Sequence, residues 1–175
     1  MNEVEMNKEM KLSPHFTLGE LTKTSYHTSD GNIPSHTAIE NLRRVCGWLE
    51  ILRERYNRRY GDSISPPEIG EVPLVISSGF RSEEVNRKCG GAKGSNHLTG
   101  CAVDIRCLGP EQMIRYACLL LDIADENGWV FDELIQEKRG TTYWIHFAVR
   151  PKERSATKGD ACQSKNRRKS LFDCR

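Results

Sequence analysis

No run of apolar residues in this chain approaches the roughly 20 needed to cross a bilayer as a helix, so no helical span is encoded in it. The first ten residues, Met1 to Met10, hold no apolar signal core, which predicts synthesis in the cytoplasm; any action outside the cell would then follow release by other means. There is no Cys-x-x-Cys pair among the seven cysteines, which excludes zinc-ribbon and redox spacings, and their odd number leaves at least one unpaired within a monomer. The glycine-rich stretch Gly90-Gly91-Ala92-Lys93-Gly94 lacks the Walker pattern and has no strand immediately before it, which excludes a nucleotide site of that kind.

Charge of either sign is nearly balanced at +2, but it is unevenly distributed. Pro151 to Arg175 carries eight Lys or Arg against three Asp or Glu, which leaves residues 1–150 mildly acidic. At 175 residues the chain fits one domain with a real core. The expected organisation is a disordered polar start over residues 1–13, a folded domain over 14–150 and a basic tail over 151–175. The tail and an Arg-rich helix are the only features that suggest nucleic acid. Without a reading motif they are expected to be solvated surface, with no specific nucleic-acid partner, and the protein is expected to act as a monomer.

The chemistry concentrates in Ser95-Asn-His-Leu-Thr-Gly-Cys-Ala-Val-Asp104. It sets an imidazole, His97, seven residues before a carboxylate, Asp104. Cys101 to Arg106 reads as a strand with Val103 and Ile105 on one face and Ala102, Asp104 and Arg106 on the other. Tyr143 to Val149 repeats the pattern, with Ile145, Phe147 and Val149 on one face and Trp144, His146 and Ala148 on the other. Each proposed strand ligand therefore has an alanine two positions away on its own face. Two imidazoles and a carboxylate leave one tetrahedral zinc position open, the layout of a catalytic rather than a structural site.

With Ser78-Gly79-Phe80-Arg81-Ser82 before it and Trp144-Ile145-His146 after it, this pattern closely resembles the zinc D-Ala-D-Ala carboxypeptidase family, which includes phage L-Ala-D-Glu endopeptidases. Asn86, Gly90-Gly91-Ala92 and Phe131-Asp132-Glu133-Leu134-Ile135 follow in the same order as family signatures, and the likeness runs from about Phe16 to about Val149. The resemblance implies a zinc ion on His97, Asp104 and His146, and cleavage of peptidoglycan stem peptides by a cell-wall carboxypeptidase or a phage lysin. It also implies that Arg81 holds a substrate carbonyl or carboxylate. Ser95, Tyr143 and Trp144 complete the expected substrate contacts.

The sequence departs from its relatives at one catalytic position. Many members carry a carboxylate three residues before the last histidine ligand, and this chain has Tyr143 there. Either the general base comes from elsewhere or the site binds wall peptides without cutting them, as the related hedgehog signalling domain serves recognition. Glu137, on the strand expected to pair with Tyr143 to Val149, is the candidate base, with Glu133 on the same side.

The remaining elements define the scaffold. Thr37 and Glu40 suggest a capping box opening an amphipathic helix through Tyr56, with Cys46 on its apolar face, followed by a loop from Gly61 to Pro73. Leu74 to Ile76 reads as a buried strand, Ser82 as the cap of a short helix over Glu83 to Lys88, and Pro110 to Asn127 as a second amphipathic helix with Cys118 buried. Phe131 to Glu137 and Tyr143 to Val149 form a hairpin. Cys89, Cys101 and Cys107 cluster near the site without ligand spacing, and free thiols are expected, including Cys162 and Cys174 in the tail. His27 and His36 read as structural or exposed. The expected fold is α+β, hedgehog/DD-peptidase-like, with helices on one side of a small, mainly antiparallel sheet whose open face bears the zinc.

Overall fold

The computed structural model describes residues 7–64 and 70–150. The basic tail over 151–175, with Cys162 and Cys174, lies outside them, as do residues 1–6. In chain order the elements are α1 (Leu18–Leu21), α2 (His36–Ile64), β1 (Val75–Ser78), α3 (Glu83–Lys88), a 3-10 turn (Asn96–Thr99), β2 (Ala102–Cys107), α4 (Pro110–Asn127), β3 (Phe131–Arg139) and β4 (Thr142–Val149). The strands form one sheet in the order β1-β2-β4-β3, and every neighbouring pair is antiparallel. This is the α+β arrangement expected.

Register explains how one sheet serves both core and site. Residues paired across antiparallel strands share a face. Val103 pairs with Phe147 and Ile105 with Ile145, and all four are fully buried in the core with Leu42, Val45, Leu49 and Leu52 of α2 and Leu120 and Ile123 of α4. Trp48 of α2 meets Phe147 with ring centroids 5.1 Å apart. The alternate residues turn to the other face, where Asp104 pairs with His146 and Arg106 with Trp144. Ala102 and Ala148 pair on that same face and are fully buried, because the 3-10 turn packs over β2. The small methyl side chains of Ala102 and Ala148 leave room for the turn that carries His97.

Two glycines permit the close approaches this requires. Gly79 follows β1, and a Cβ there would lie 2.2 Å from the carbonyl oxygen of Leu21, which accepts a hydrogen bond from Phe80 N at 2.7 Å. Gly100 ends the 3-10 turn at φ 71°, and a Cβ would lie 2.4 Å from Ala38 O of α2.

Several sequence expectations are corrected. Residues 7–13 are ordered: Leu12 is buried, Lys11 bridges Thr17, and Leu18 N donates to Met10 O at 2.9 Å. The polar composition concealed one apolar anchor. Helix α2 is capped by Ser35, whose Oγ accepts from Ala38 N at 3.2 Å, rather than by Thr37. It continues past Gly61 to Ile64, into the stretch expected to be loop. Strand β1 is an edge strand with Val75 exposed, and the buried apolar residues beside it are Val72 and Leu74. Cys118 lies on the exposed side of α4, whereas Cys46 is fully buried. His27 and His36 are exposed, as expected.

Candidate metal centre

His97 is delivered by the 3-10 turn, whose first turn is capped by Ser95, and it is almost fully buried at 2% exposure. Its Nδ1–H donates to Gly79 O at 2.6 Å, while its backbone oxygen accepts from Arg81 N at 3.1 Å. A carbonyl can only accept, so this contact fixes the tautomer and leaves the Nε2 lone pair facing inward. That Nε2 lies 3.3 Å from Asp104 Oδ1 and 3.3 Å from His146 Nδ1. His146 Nδ1 in turn lies 2.9 Å from Asp104 Oδ1.

The three ligand atoms, one from a turn and one from each of two paired strands, lie within 4.8 Å of one another. Each histidine has its other ring nitrogen on an oxygen acceptor: Gly79 O for His97, and Glu133 Oε2, at 3.2 Å, for His146. Metal-ligating histidines are generally held this way. Two imidazole nitrogens and one carboxylate oxygen suit a divalent ion of borderline softness. The residues present therefore fit a metal.

Electrostatics supports the same grouping. Burial pushes the Asp104 carboxyl up, yet hydrogen bonds with His146 and His97 outweigh it and hold the group well below the usual carboxylate range. Burial by itself would depress His146, but the carboxylates of Asp104 and Glu133 outweigh it and lift the ring to about 9. The thiols of Cys101 and Cys107 do not compete in the same place. Cys101 and Cys107 are buried in the core, and burial pushes the Cys107 thiol up to about 12.

A cleft of about 420 Å³ opens over these atoms and is lined by Arg81, Ser95, Glu137 and Trp144 as well as by the three ligands. Cys89, Gly90, Gly91 and Ala92 line its wall, so the glycine-rich stretch borders the site. Arg81 is committed largely to the protein: Nη2 donates to Asp104 Oδ2 at 2.5 Å and Nε to Ser78 Oγ at 2.8 Å. The guanidinium expected to hold substrate thus first holds a ligand. Glu137 pairs with Trp144 across β3 and β4, and the indole Nε1–H donates to Glu137 Oε2 at 2.7 Å.

Tyr143 is not in the cleft. It lies three residues from His146 on a regular strand, an odd step that turns it to the helix-covered face, where it pairs with Cys107 and packs against the core. Its expected substrate contact is corrected on that ground. A carboxylate at this position would face the same way, and among the described residues the carboxylate that lines the cleft besides the ligand Asp104 is Glu137 of β3.

Supports that the sequence reading did not single out include Asn96, whose Nδ2 donates to Glu133 Oε2 and to Asp132 Oδ2, each at 3.1 Å. Buried Asn32, in the left-handed region at φ 52°, accepts from Ser82 N at 2.7 Å and donates to Thr22 O and Phe80 O, which fixes the segment bearing Arg81. Its setting in Asp30-Gly31-Asn32 signalled a turn; its long-range bonds carried no local signal.

The family pattern described as Peptidase M15 matches residues 14–118, which include His97 and Asp104. The chain belongs to the M15 peptidase family. A similar M15 relative is the zinc D-Ala-D-Ala carboxypeptidase of Streptomyces albus G, 29% identical over 91 residues. That alignment covers 52% of this chain and 31% of the relative, so the chain spans under a third of the relative's length. His146, Glu133 and Glu137 lie beyond the M15 match, and their place in the site rests on the β3–β4 pairing.

Proposed function

We propose that the protein is a zinc metallopeptidase that hydrolyses peptide bonds in peptidoglycan stem peptides, as a D-Ala-D-Ala carboxypeptidase or a lysin-type endopeptidase. The observation that carries this is the convergence of His97 Nε2, Asp104 Oδ1 and His146 Nδ1 beneath an open cleft. These three residues would hold the zinc ion. When bound, it supplies a Lewis acid for the scissile carbonyl and a lowered pKa for an attacking water.

The chain's own groups have separable tasks. Glu137 Oε2 accepts the proton of the attacking water and returns it to the leaving amine, and the Trp144 indole holds that carboxylate in one orientation. Arg81 keeps Asp104 oriented, and its Nη1, without a partner among the described residues, is the donor left for a substrate carbonyl or carboxylate. The Ser95 hydroxyl oxygen accepts from His97 N at 3.4 Å, so its proton is available to substrate. Small residues at Gly90, Gly91 and Ala92 leave room on one wall for a peptide backbone.

Incubation of the zinc-loaded protein with purified peptidoglycan, with mass spectrometry of the released ends, tests this and identifies the bond. New termini that disappear in His97→Ala, Asp104→Ala and His146→Ala are expected. Saturable peptide binding without any new terminus would replace the enzyme with a catalytically inactive binder of wall peptides.

A further inference from the structure

Strand β3 departs from regular pairing in one place, and the departure aims a side chain at the metal centre. Phe131 pairs with Val149 on the core face and Leu134 pairs with Phe147 there as well, whereas Glu133 pairs with Ala148 on the site face. In a regular strand Phe131 and Glu133, two apart, would share a face. The register shift between them inserts Asp132 as an extra residue and turns Glu133 over. Without that bulge the Glu133 carboxylate would point into the apolar core.

Turned this way, Glu133 Oε2 lies 3.2 Å from His146 Nε2 and accepts from Asn96 Nδ2 at 3.1 Å. Asn96 stands next to His97 in the same 3-10 turn. One short segment thus provides a ligand, His97, and steadies the carboxylate that faces another ligand, His146. The side chain of Glu133 is 31% exposed and that of His146 only 12% exposed, so the contact sits at the edge of the cleft rather than in open solvent.

We infer that Glu133 is a positioning residue for metal binding: it accepts the Nε2–H of His146, which keeps Nδ1 directed at Asp104 and His97, and Asn96 holds Glu133 in that place. This rests on the metallopeptidase reading above. An imidazole on a β-strand can rotate about χ2 and present either nitrogen, and an acceptor on one side removes that freedom before the metal arrives. Glu133 touches neither substrate nor metal in this role, which separates it from Glu137, four residues further along β3.

The test is zinc affinity by competition with a chromogenic chelator, read together with the protonation of the His146 ring nitrogens by long-range proton–nitrogen NMR of the zinc-loaded protein. Glu133→Ala should weaken zinc about 10- to 100-fold, the usual cost of losing such a partner, with the helix signal in circular dichroism unchanged. Glu133→Gln, which keeps an acceptor oxygen, should recover most of that loss and retain the proton on Nε2. Asn96→Ala should fall between the two. Parental affinity in Glu133→Ala overturns the inference, as does a Glu133→Gln variant as weak as the alanine. A parent chain that binds no zinc removes the peptidase reading as well, whereas a zinc-binding parent with an unaffected Glu133→Ala removes only this one.

Discussion

His146 Nδ1 lies 2.9 Å from Asp104 Oδ1, across directly paired positions of β4 and β2. With Glu133 at its other nitrogen, the ring faces a carboxylate on each side, and in the metal-free protein its pKa is lifted from 6.5 to about 9. A metal needs the neutral ring, so below about pH 9 zinc must displace a proton. Zinc affinity should rise about tenfold per pH unit between pH 7 and 9 and then level off, as one bound proton ceases to compete. Chelator competition across that range checks it, and a flat profile would mean the ring is already neutral before metal binds. Because the folded-state pKa is raised, the stabilisation from charged His146 is complete below about pH 6.5 and is lost as pH rises through about 9. The melting temperature of metal-free protein should accordingly decline over that window.

Gly79→Ala should destabilise the fold by about 1–3 kcal/mol, the usual cost of forcing an extra carbon into a packed place. The added Cβ would sit 2.2 Å from Leu21 O, a backbone atom that cannot swing aside. Since Gly79 O also accepts from His97 Nδ1, zinc affinity should fall with stability. Urea unfolding and zinc titration of the same sample check both, and a variant that loses neither would place the Gly79 contact outside the support of His97.

Arg81→Lys preserves charge but loses the planar fork that reaches Asp104 Oδ2 and Ser78 Oγ together. As a partner of a proposed ligand, it should cost about 10- to 100-fold in turnover or zinc affinity. Folding should change far less, because Arg81 lies at the cleft and not in the apolar core. Unaltered turnover would show that a point charge suffices beside Asp104.

Much of the site was legible because strand alternation is strict. Val103 and Ile105 against Asp104, and Ile145 and Phe147 against His146, sort themselves into core and cleft by period two, and the structure follows that sorting. The same rule places Tyr143 on the core face, a consequence that outweighed the expectation of a substrate contact. Alternation also set Glu133 on the side of Glu137, but the bulge at Asp132, which lets Phe131 two residues earlier face the core instead, has no local sequence signal. The order of residues 7–13 depends on Leu12 reaching the core, and the cap at Ser35 on a hydroxyl two residues before Thr37. These are tertiary choices among locally equivalent alternatives.

The identity of the general base decides between enzyme and inert binder, and three substitutions separate the candidates. Glu137 lines the cleft and is held by Trp144, so Glu137→Gln should retain zinc and fold while kcat falls roughly a hundredfold to ten-thousandfold. Glu133→Gln keeps an acceptor for His146 and should retain most of kcat, because in this geometry Glu133 orients a ring and transfers no proton. Tyr143→Phe removes a phenol from the helix-covered face, away from the ligands, and should change kcat by no more than about twofold, as for substitutions distant from the chemistry. Steady-state kinetics on a stem-peptide substrate, with zinc content measured for every variant, resolves the three. A large kcat loss in Glu133→Gln with Glu137→Gln unaffected would exchange their roles. If Glu137→Gln, Glu133→Gln and the parent all turn over equally, proton transfer does not pass through either carboxylate of β3.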